Sequence, residues 1–544
     1  MSEVPVVICG AGPVGLTMSI LLSRMGIPTL LVERRESVST LPRARGIMSR
    51  TVEIWSHFGL YPEMTEFSLP PSWCQEFLYL DTLAGELIGA MPSNCMAPDA
   101  QQETTAYEFR CAAQDQIDSM LSRCAAAYPL AEIRFSTELV EHSQDDDGVT
   151  VTLQQADGSQ ELVRTSWLVG ADGGRSPLRE ASGITSTGPT ALGSFVNNHF
   201  SADLSRWTAG REATLLWTFA NGNVGCFQPL DGKQRWMCQI MFDPRVDTPE
   251  SWTRERVIRR LRDMIGDPAA DDVVFDLHST YTYSVAATVT DRLRDRRLLL
   301  VGDAAHRIPP AGGIGMNTGV QTAHNLAWKL AAVIRGEATP ALLDTFDLER
   351  REVAERACAY GTTNLGYIGA IRQAQTREAQ QDAVAGSRQY GNWSGLDLGV
   401  HYEGPGAYVP DDQPAPDVEH PIVDYVPCAK PGYRAPHMWL LRQGERLSSV
   451  DLFERDFVLL TGSAGESWLE AARDSTLPCP VTGIGVGAHG DVEPEVDFAK
   501  LYGIGEAGAV LVRPDGHVAW RTHELAPDPA GALHEALDAV LCRA

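Results

Sequence analysis

Gly10-Ala11-Gly12-Pro13-Val14-Gly15 follows the apolar run Val6-Val7-Ile8-Cys9 and precedes helix formers from Leu16 to Met25 that stop at Gly26. A second apolar run, Thr29 to Val32, ends in Glu33 and Arg34, with Glu33 18 residues beyond Gly15. The order is strand, tight turn, helix, strand, and few folds accept a G-x-G-x-x-G turn in that setting. Its glycines allow a sharp turn and close approach of the backbone to a pyrophosphate resting on the helix N-terminus. An acid at the end of the second strand accepts hydrogen bonds from ribose hydroxyls. A second literal match, Gly485 to Gly490, is followed by Asp491-Val492-Glu493-Pro494. That segment cannot open a helix well and would repel phosphate, so it reads as a loop. One dinucleotide site, at Gly10–Gly15, is the expectation.

Composition narrows the class. The 544 residues are 44% hydrophobic and 21% charged, with a net charge of −26. An acidic surface repels phosphate backbones and anionic membranes, so no nucleic-acid or membrane partner is expected. The 11 cysteines contain no CxxC pair and no zinc spacing with histidine, which predicts reduced thiols and no metal site. The uncharged run from Val4 to Ser23 is long enough to span a bilayer, but Gly10, Gly12, Gly15, Pro5 and Pro13 interrupt it and no basic flank precedes it. The expectation is a cytoplasmic protein.

Further along, Gln114–Ala127 reads as a helix, Ile133–His142 and Val149–Gln155 as a hairpin, and Ser166–Gly170 as a buried strand. A strand-rich stretch from about 190 to 285 contains one helix near Glu250–Met264. Leu298–Val301 is another buried strand, and Asn317–Ile334 a long helix. Residues 386–436, rich in Gly, Pro, Tyr and Asp, read as a linker or arm before a small α/β unit.

Two more constellations carry chemistry. Gly170-Ala171-Asp172-Gly173-Gly174-Arg175 follows a buried strand, where the plainest reading is a strand-end turn capped by Asp172. Leu300-Val301-Gly302-Asp303 ends a strand in an acid, and a Gly/Pro-rich loop through Pro310, Gly313, Gly315, Met316 and Asn317 leads into the long helix. That arrangement suits a polyol chain at Asp303 and an aromatic ring system against the positive helix end.

These three motifs, in this order over about residues 4–360, resemble the flavoprotein aromatic hydroxylases with the para-hydroxybenzoate hydroxylase fold. The segment Val510–Arg521 resembles the thioredoxin-like C-terminal domain of the phenol and polyketide hydroxylases. The resemblance implies an α/β fold: a GxGxxG FAD-binding domain, an inserted mixed β-sheet substrate domain and a C-terminal thioredoxin-like domain without a redox role. Residues 1–72, 111–185 and 289–385 would build the first, 73–110 and 186–288 the second, and 437–544 the third. FAD would meet Gly10, Gly12, Pro13, Val14, Gly15, Glu33, Arg34, Arg43, Gln114, Asp303, Pro310 and the Gly313–Asn317 loop, with Arg110 as a further contact. Asp172 and Arg175 match a motif serving both FAD and the co-substrate, NADPH or NADH.

The implied activity is hydroxylation of a small phenolic or polycyclic aromatic substrate by O2 through a flavin C4a-hydroperoxide. A Baeyer–Villiger or epoxidising monooxygenase is the alternative on the same fold, and a non-catalytic flavin- or ligand-binding protein a second. Tyr283 matches the place of a substrate-contacting tyrosine and is the catalytic candidate, with Tyr281 an equal neighbour. His199, Trp217 and Asn197 are candidate lining, and His306 beside the flavin loop reads as structural. Two departures stand out: Arg45 where phenol hydroxylase carries an acid, and Thr322 where Asp is common. The Gly/Pro arm and tail suggest a homo-oligomer.

Overall fold

The computed structural model describes residues 2–96, 103–219 and 222–543. Val6, Val7 and Ile8 are fully buried, because the strand Ser2–Cys9 lies inside a parallel sheet with neighbours on both edges. Its partners are Thr29–Val32 on one side and Gln160–Gly170 on the other. Leu298–Leu300 and Ala131–Arg134 extend the parallel core. The Gly10 N–H donates to Val32 O at 2.8 Å, closing the turn where the first strand hands over to the helix Pro13–Arg24. Gly10 has φ +110°, and a Cβ there would lie 2.4 Å from Ala171 O, so only glycine fits.

A second, seven-stranded mixed sheet forms the roof. Its order runs Asp276–Val285, Gly193–Ser201, Arg235–Phe242, Gly225–Pro229, Leu215–Thr218, Glu76–Leu80, Leu87–Pro92. Only Leu215–Thr218 and Glu76–Leu80 pair in parallel. The register sets Phe195 opposite Tyr283, and Asn197 opposite both Tyr281 and Gln239. Period-two alternation then puts these side chains on one face.

The C-terminal unit carries a four-stranded sheet ordered Val481–Gly485, Phe457–Thr461, Ala509–Val512, Val518–Thr522, with helices including Glu466–Ala471 and Pro529–Val540. The first two strands are parallel and the rest antiparallel, a thioredoxin-like arrangement. Among the described residues no helix is long and apolar enough to cross a membrane, and no cluster of three His, Cys, Asp or Glu residues could hold a metal.

Several elements differ from the sequence reading. The segment 133–142 is not one strand: Ser136, at φ +52°, breaks it, so Ala131–Arg134 joins the parallel core while Thr137–Gln144 pairs with Val149–Gln155. The helix near 250 starts only at Arg254, where Thr253 Oγ1 accepts from Arg256 N. The long helix starts two residues early, at Gly315. A 30-residue helix, Asp344–Gln373, has too weak an apolar periodicity to stand out in sequence, because it touches several domains in turn. The Gly/Pro-rich arm is packed down, with Tyr390, Trp393, Val400 and Tyr402 buried.

Buried ion pairs join the tail to the body. Glu349 accepts from Lys329 Nζ at 2.7 Å and from Arg513 Nη1 at 2.8 Å, and Glu53 pairs with Arg50 at 2.7 Å and with Arg434. Asp397 accepts from Arg50 N at 3.2 Å, and burial pushes its carboxyl up to about 7. An acid whose folded value is raised holds its proton more tightly when folded. Its contribution is therefore full below about pH 4 and is lost as pH rises through about 7. Asp397→Asn should flatten the fall in stability over that window, removing a slope of up to about 1.4 kcal/mol per pH unit. Urea unfolding at several pH values measures it; parallel profiles for parent and variant would refute it.

Candidate active site

A single cavity of about 1020 Å³ runs from the N-terminal glycine turn to the roof sheet. That is above the usual upper size of a pocket for one drug-sized ligand. Its first part is lined by Gly10, Gly12, Pro13, Val14, Gly15 and Glu33, where the free N–H groups at the start of helix Pro13–Arg24 face the space. Glu33 Oε2 accepts from Ala11 N at 3.0 Å and Oε1 from Arg35 N at 3.1 Å, which fixes the carboxylate at the end of its strand. A Cβ added at Gly12 would meet no protein atom within 4 Å, so the turn leaves an open cradle at a helix N-terminus, which suits a diphosphate.

Arg34 and Arg175 are exposed at the rim, and Arg43 lines the cavity further in. Gln114 Oε1 accepts from Ala44 N at 3.0 Å and ties the Arg43 segment to the helix Gln114–Ala126. Asp172 lines the wall and also accepts from Leu178 N at 3.2 Å, so it both caps a turn and faces the space. Asp303 projects from the strand-end turn, and desolvation raises its carboxyl above the usual range, with the Arg307 charge working against it. A carboxyl open to the channel suits hydrogen bonding to a polyol.

The loop Pro310, Gly313, Gly315, Met316 forms the next stretch. Asn317 does not line the cavity. It stands behind the loop, where its Nδ2 donates to Gly313 O at 2.8 Å and Gly46 O at 3.0 Å and its Oδ1 accepts from Met48 N at 2.9 Å. It shapes the loop from behind. Arg110 also lies outside. Its guanidinium donates to Tyr61 Oη at 2.6 Å and stacks over that ring, which ties the Arg110–Cys111 strand to the helix Tyr61–Phe67.

Under the roof, Tyr283 and Tyr281 both line the chamber. Asn197 Nδ2 donates to Tyr281 Oη at 2.7 Å, whereas Tyr283 Oη is buried without a partner, its ring stacked on Phe195. Burial raises both phenols, so both remain protonated donors. Trp217 lines the chamber, while His199 turns away to Arg235 and the His278 ring. His306 is buried with both ring nitrogens unpartnered, and desolvation lowers it to about 3, so it stays neutral.

Arg45 also reaches this part of the cavity. It donates to Gln228 Oε1 at 3.0 Å, Pro229 O at 2.7 Å and Thr214 O at 2.9 Å. Sequence reasoning missed Gln228, Gln239, Phe109, Tyr390 and Trp393 in the wall. The first two were open to discovery from strand alternation. The last two sit on the arm, whose composition gives no sign that it closes the chamber.

The fold and site define a dinucleotide-binding protein that delivers an extended cofactor to an aromatic-lined chamber. Residues 3–360 match the family described as FAD binding domain, and residues 429–544 the aromatic-ring hydroxylase C-terminal family. The chain is 35% identical to tetracenomycin A2 monooxygenase-dioxygenase of Streptomyces glaucescens, over 99% of this chain and 97% of that protein. It is 36% identical to aklavinone 12-hydroxylase RdmE of Streptomyces purpurascens, over 99% of each. The crystal structure of the flavin-dependent monooxygenase PieE with FAD and substrate superposes with a TM-score of 0.92 at 32% identity, covering 100% of this chain and 99% of that one. The chain belongs to the FAD-dependent aromatic-ring monooxygenases, and FAD is its cofactor.

Proposed function

We propose that this enzyme hydroxylates a phenolic ring within a polycyclic substrate, consuming O2 and either NADPH or NADH. The observation that carries the reading is the continuity of the cavity from the Gly12 cradle, past Asp303 and the Pro310–Met316 loop, into a chamber walled by Phe109, Phe195, Trp217 and Trp393. Relatives that act on tetracenomycin A2 and aklavinone support a multi-ring substrate.

Gly10–Gly15 and Glu33 would hold the adenosine diphosphate end, Arg43 and Gln114 the middle, Asp303 the ribityl chain, and the loop before Asn317 the ring system. Arg34 at the rim would join the adenosine end, while Asp172 in the wall and Arg175 at the rim would serve both FAD and the nicotinamide co-substrate. Bound FAD supplies electron uptake from that co-substrate and activation of O2. The chain's own residues orient the ring and keep water out. Among the described residues, no carboxylate or histidine lines the roof side of the chamber. The Arg45 cation would favour the ionised, more nucleophilic form of a substrate hydroxyl nearby; no protein base takes its proton, which passes to solvent as the substrate binds. Tyr281, its oxygen already accepting from Asn197, keeps its own proton to donate into the chamber.

A stopped-flow screen with a panel of phenols tests the reading. Polycyclic phenols should accelerate flavin reduction by about 10-fold or more, and 18O2 should label a ring hydroxyl. Acceleration by monocyclic phenols alone, or label in a lactone or epoxide, would reject it. Tyr281→Phe should lower kcat by about 10- to 100-fold while flavin content stays unchanged. An undiminished kcat would remove Tyr281 from the proposed role.

A further inference from the structure

Two amides stand side by side on the roof of the chamber. Asn197, on the strand Gly193–Ser201, lies directly opposite Gln239 on Arg235–Phe242, and both line the cavity. Opposite residues on paired strands hold their Cβ atoms about 5 Å apart on one face of the sheet. The wall around them is rich in rings, among them Phe195, Trp217 and Tyr283. An amide left without partners in such surroundings is unfavourable.

Other polar side chains of the wall are already engaged. Gln228 Oε1 accepts from Arg45 at 3.0 Å, and Thr214 Oγ1 donates to Trp73 O at 2.8 Å. Asn197 is only half engaged. Its Nδ2 donates to Tyr281 Oη at 2.7 Å and to Met237 Sδ at 3.1 Å, which uses both of its hydrogens. Its Oδ1 is buried with no partner, on a residue 2% exposed. Gln239 is half-buried, and among the described residues its amide has no hydrogen-bond partner. The pair therefore offers one fixed acceptor beside one free amide that can turn its N–H group toward the same point.

A hydroxyl satisfies both at once, because it donates to Asn197 Oδ1 while accepting from Gln239 Nε2. A carbonyl or an ether oxygen has nothing to donate, and a methoxy group adds bulk as well. The phenol that Arg45 would ionise has no proton left for Asn197, so the bridging hydroxyl is a second one.

On the reading of this chamber as the seat of a polycyclic phenol, we infer that Asn197 and Gln239 select substrates carrying a second free hydroxyl, besides the phenol of the ring that is oxidised. A substrate lacking it leaves both amides unpaired, and a site built to hydrogen-bond a hydroxyl rejects an analogue without one.

The test uses the oxidised holoenzyme without NADPH or NADH and reads Kd from the change in flavin absorbance on titration. The probes are naphthalene and anthracene diols with their hydroxyls on different rings, each beside the compounds in which one hydroxyl is replaced by hydrogen or by methoxy. At least one diol should bind about 10-fold or more tightly than its replaced counterparts. Gln239→Met, which keeps the volume and removes the amide, should shrink that ratio to less than about 2-fold. The ratio compares ligands within one protein, so a general loss of binding does not move it. Equal Kd values for diols and their counterparts overturn the inference, and so does a ratio that survives in Gln239→Met. If the monohydroxy compounds still accelerate flavin reduction in that event, the polycyclic-phenol reading stands and only the second hydroxyl falls. Absence of binding by every probe overturns both. If Gln239→Met does not fold, the comparison of diol with methoxy compound on the unchanged chain decides.

Discussion

Replacing Gly12 by Ala should give a chain that folds and melts like the parent without flavin, yet binds FAD about 100-fold more weakly, a loss of about 2.7 kcal/mol. The expectation rests on where the new methyl group goes. Gly12 has an ordinary φ of −78°, and a Cβ there meets no protein atom within 4 Å. The folded chain therefore does not resist the substitution; only a diphosphate lying on the helix N-terminus would. Gly15→Ala is the contrasting control, because its Cβ would fall 2.0 Å from Gly10 O and must disturb the backbone itself. Thermal melting of both apoproteins with fluorescence titration of FAD separates the effects. Parent-like FAD affinity in Gly12→Ala would show that the cofactor does not use this cradle.

The second large effect is expected at Glu349. Its carboxylate is the shared partner of Lys329 and Arg513 and also accepts from Ala407 N at 2.8 Å. Those contacts span the long helices, the arm and the tail. The Arg513 and Lys329 charges hold the Glu349 carboxyl down at about 2, against the effect of burial. Glu349→Ala leaves two buried cations without their shared anion, a change of about 3–5 kcal/mol. The tail should then be cleaved from the body by low protease at temperatures where the parent resists. Glu349→Gln, which keeps the shape and some hydrogen bonds, should fall between them. Protease resistance of Glu349→Ala equal to that of the parent would show that the tail is held by its apolar contacts instead.

The cofactor end of the site was legible because its chemistry is local. The G-x-G-x-x-G turn and the acid that closes the next strand lie within about two dozen residues, the strand ending in Gly302-Asp303 is read from its own few residues, and short apolar runs show which strands are buried. Arg110 and Asn317 were harder, since sequence places a residue near a site without saying where its side chain points. Arg110 found Tyr61, and Asn317 found the carbonyls of Gly46 and Gly313. The break at Ser136 was equally hidden, because alternation continues on both sides of a residue that leaves the extended conformation.

The substrate end needed the tertiary structure. Its wall combines Phe109, the strand residues Asn197, Trp217, Gln228 and Tyr281, and Tyr390 and Trp393 from the arm. Nothing local links those positions, because strand register and the docking of the arm decide which faces meet. The same holds for the buried charges: Glu349 meets Arg513 and Lys329, and Glu53 meets Arg434. The sequence by itself determined the cofactor class and the α/β scaffold, since a short segment's backbone geometry and period suffice for both. The shape of the chamber and the pairing of interior charges were decided only by long-range packing, because each depends on residues brought together from distant parts of the chain.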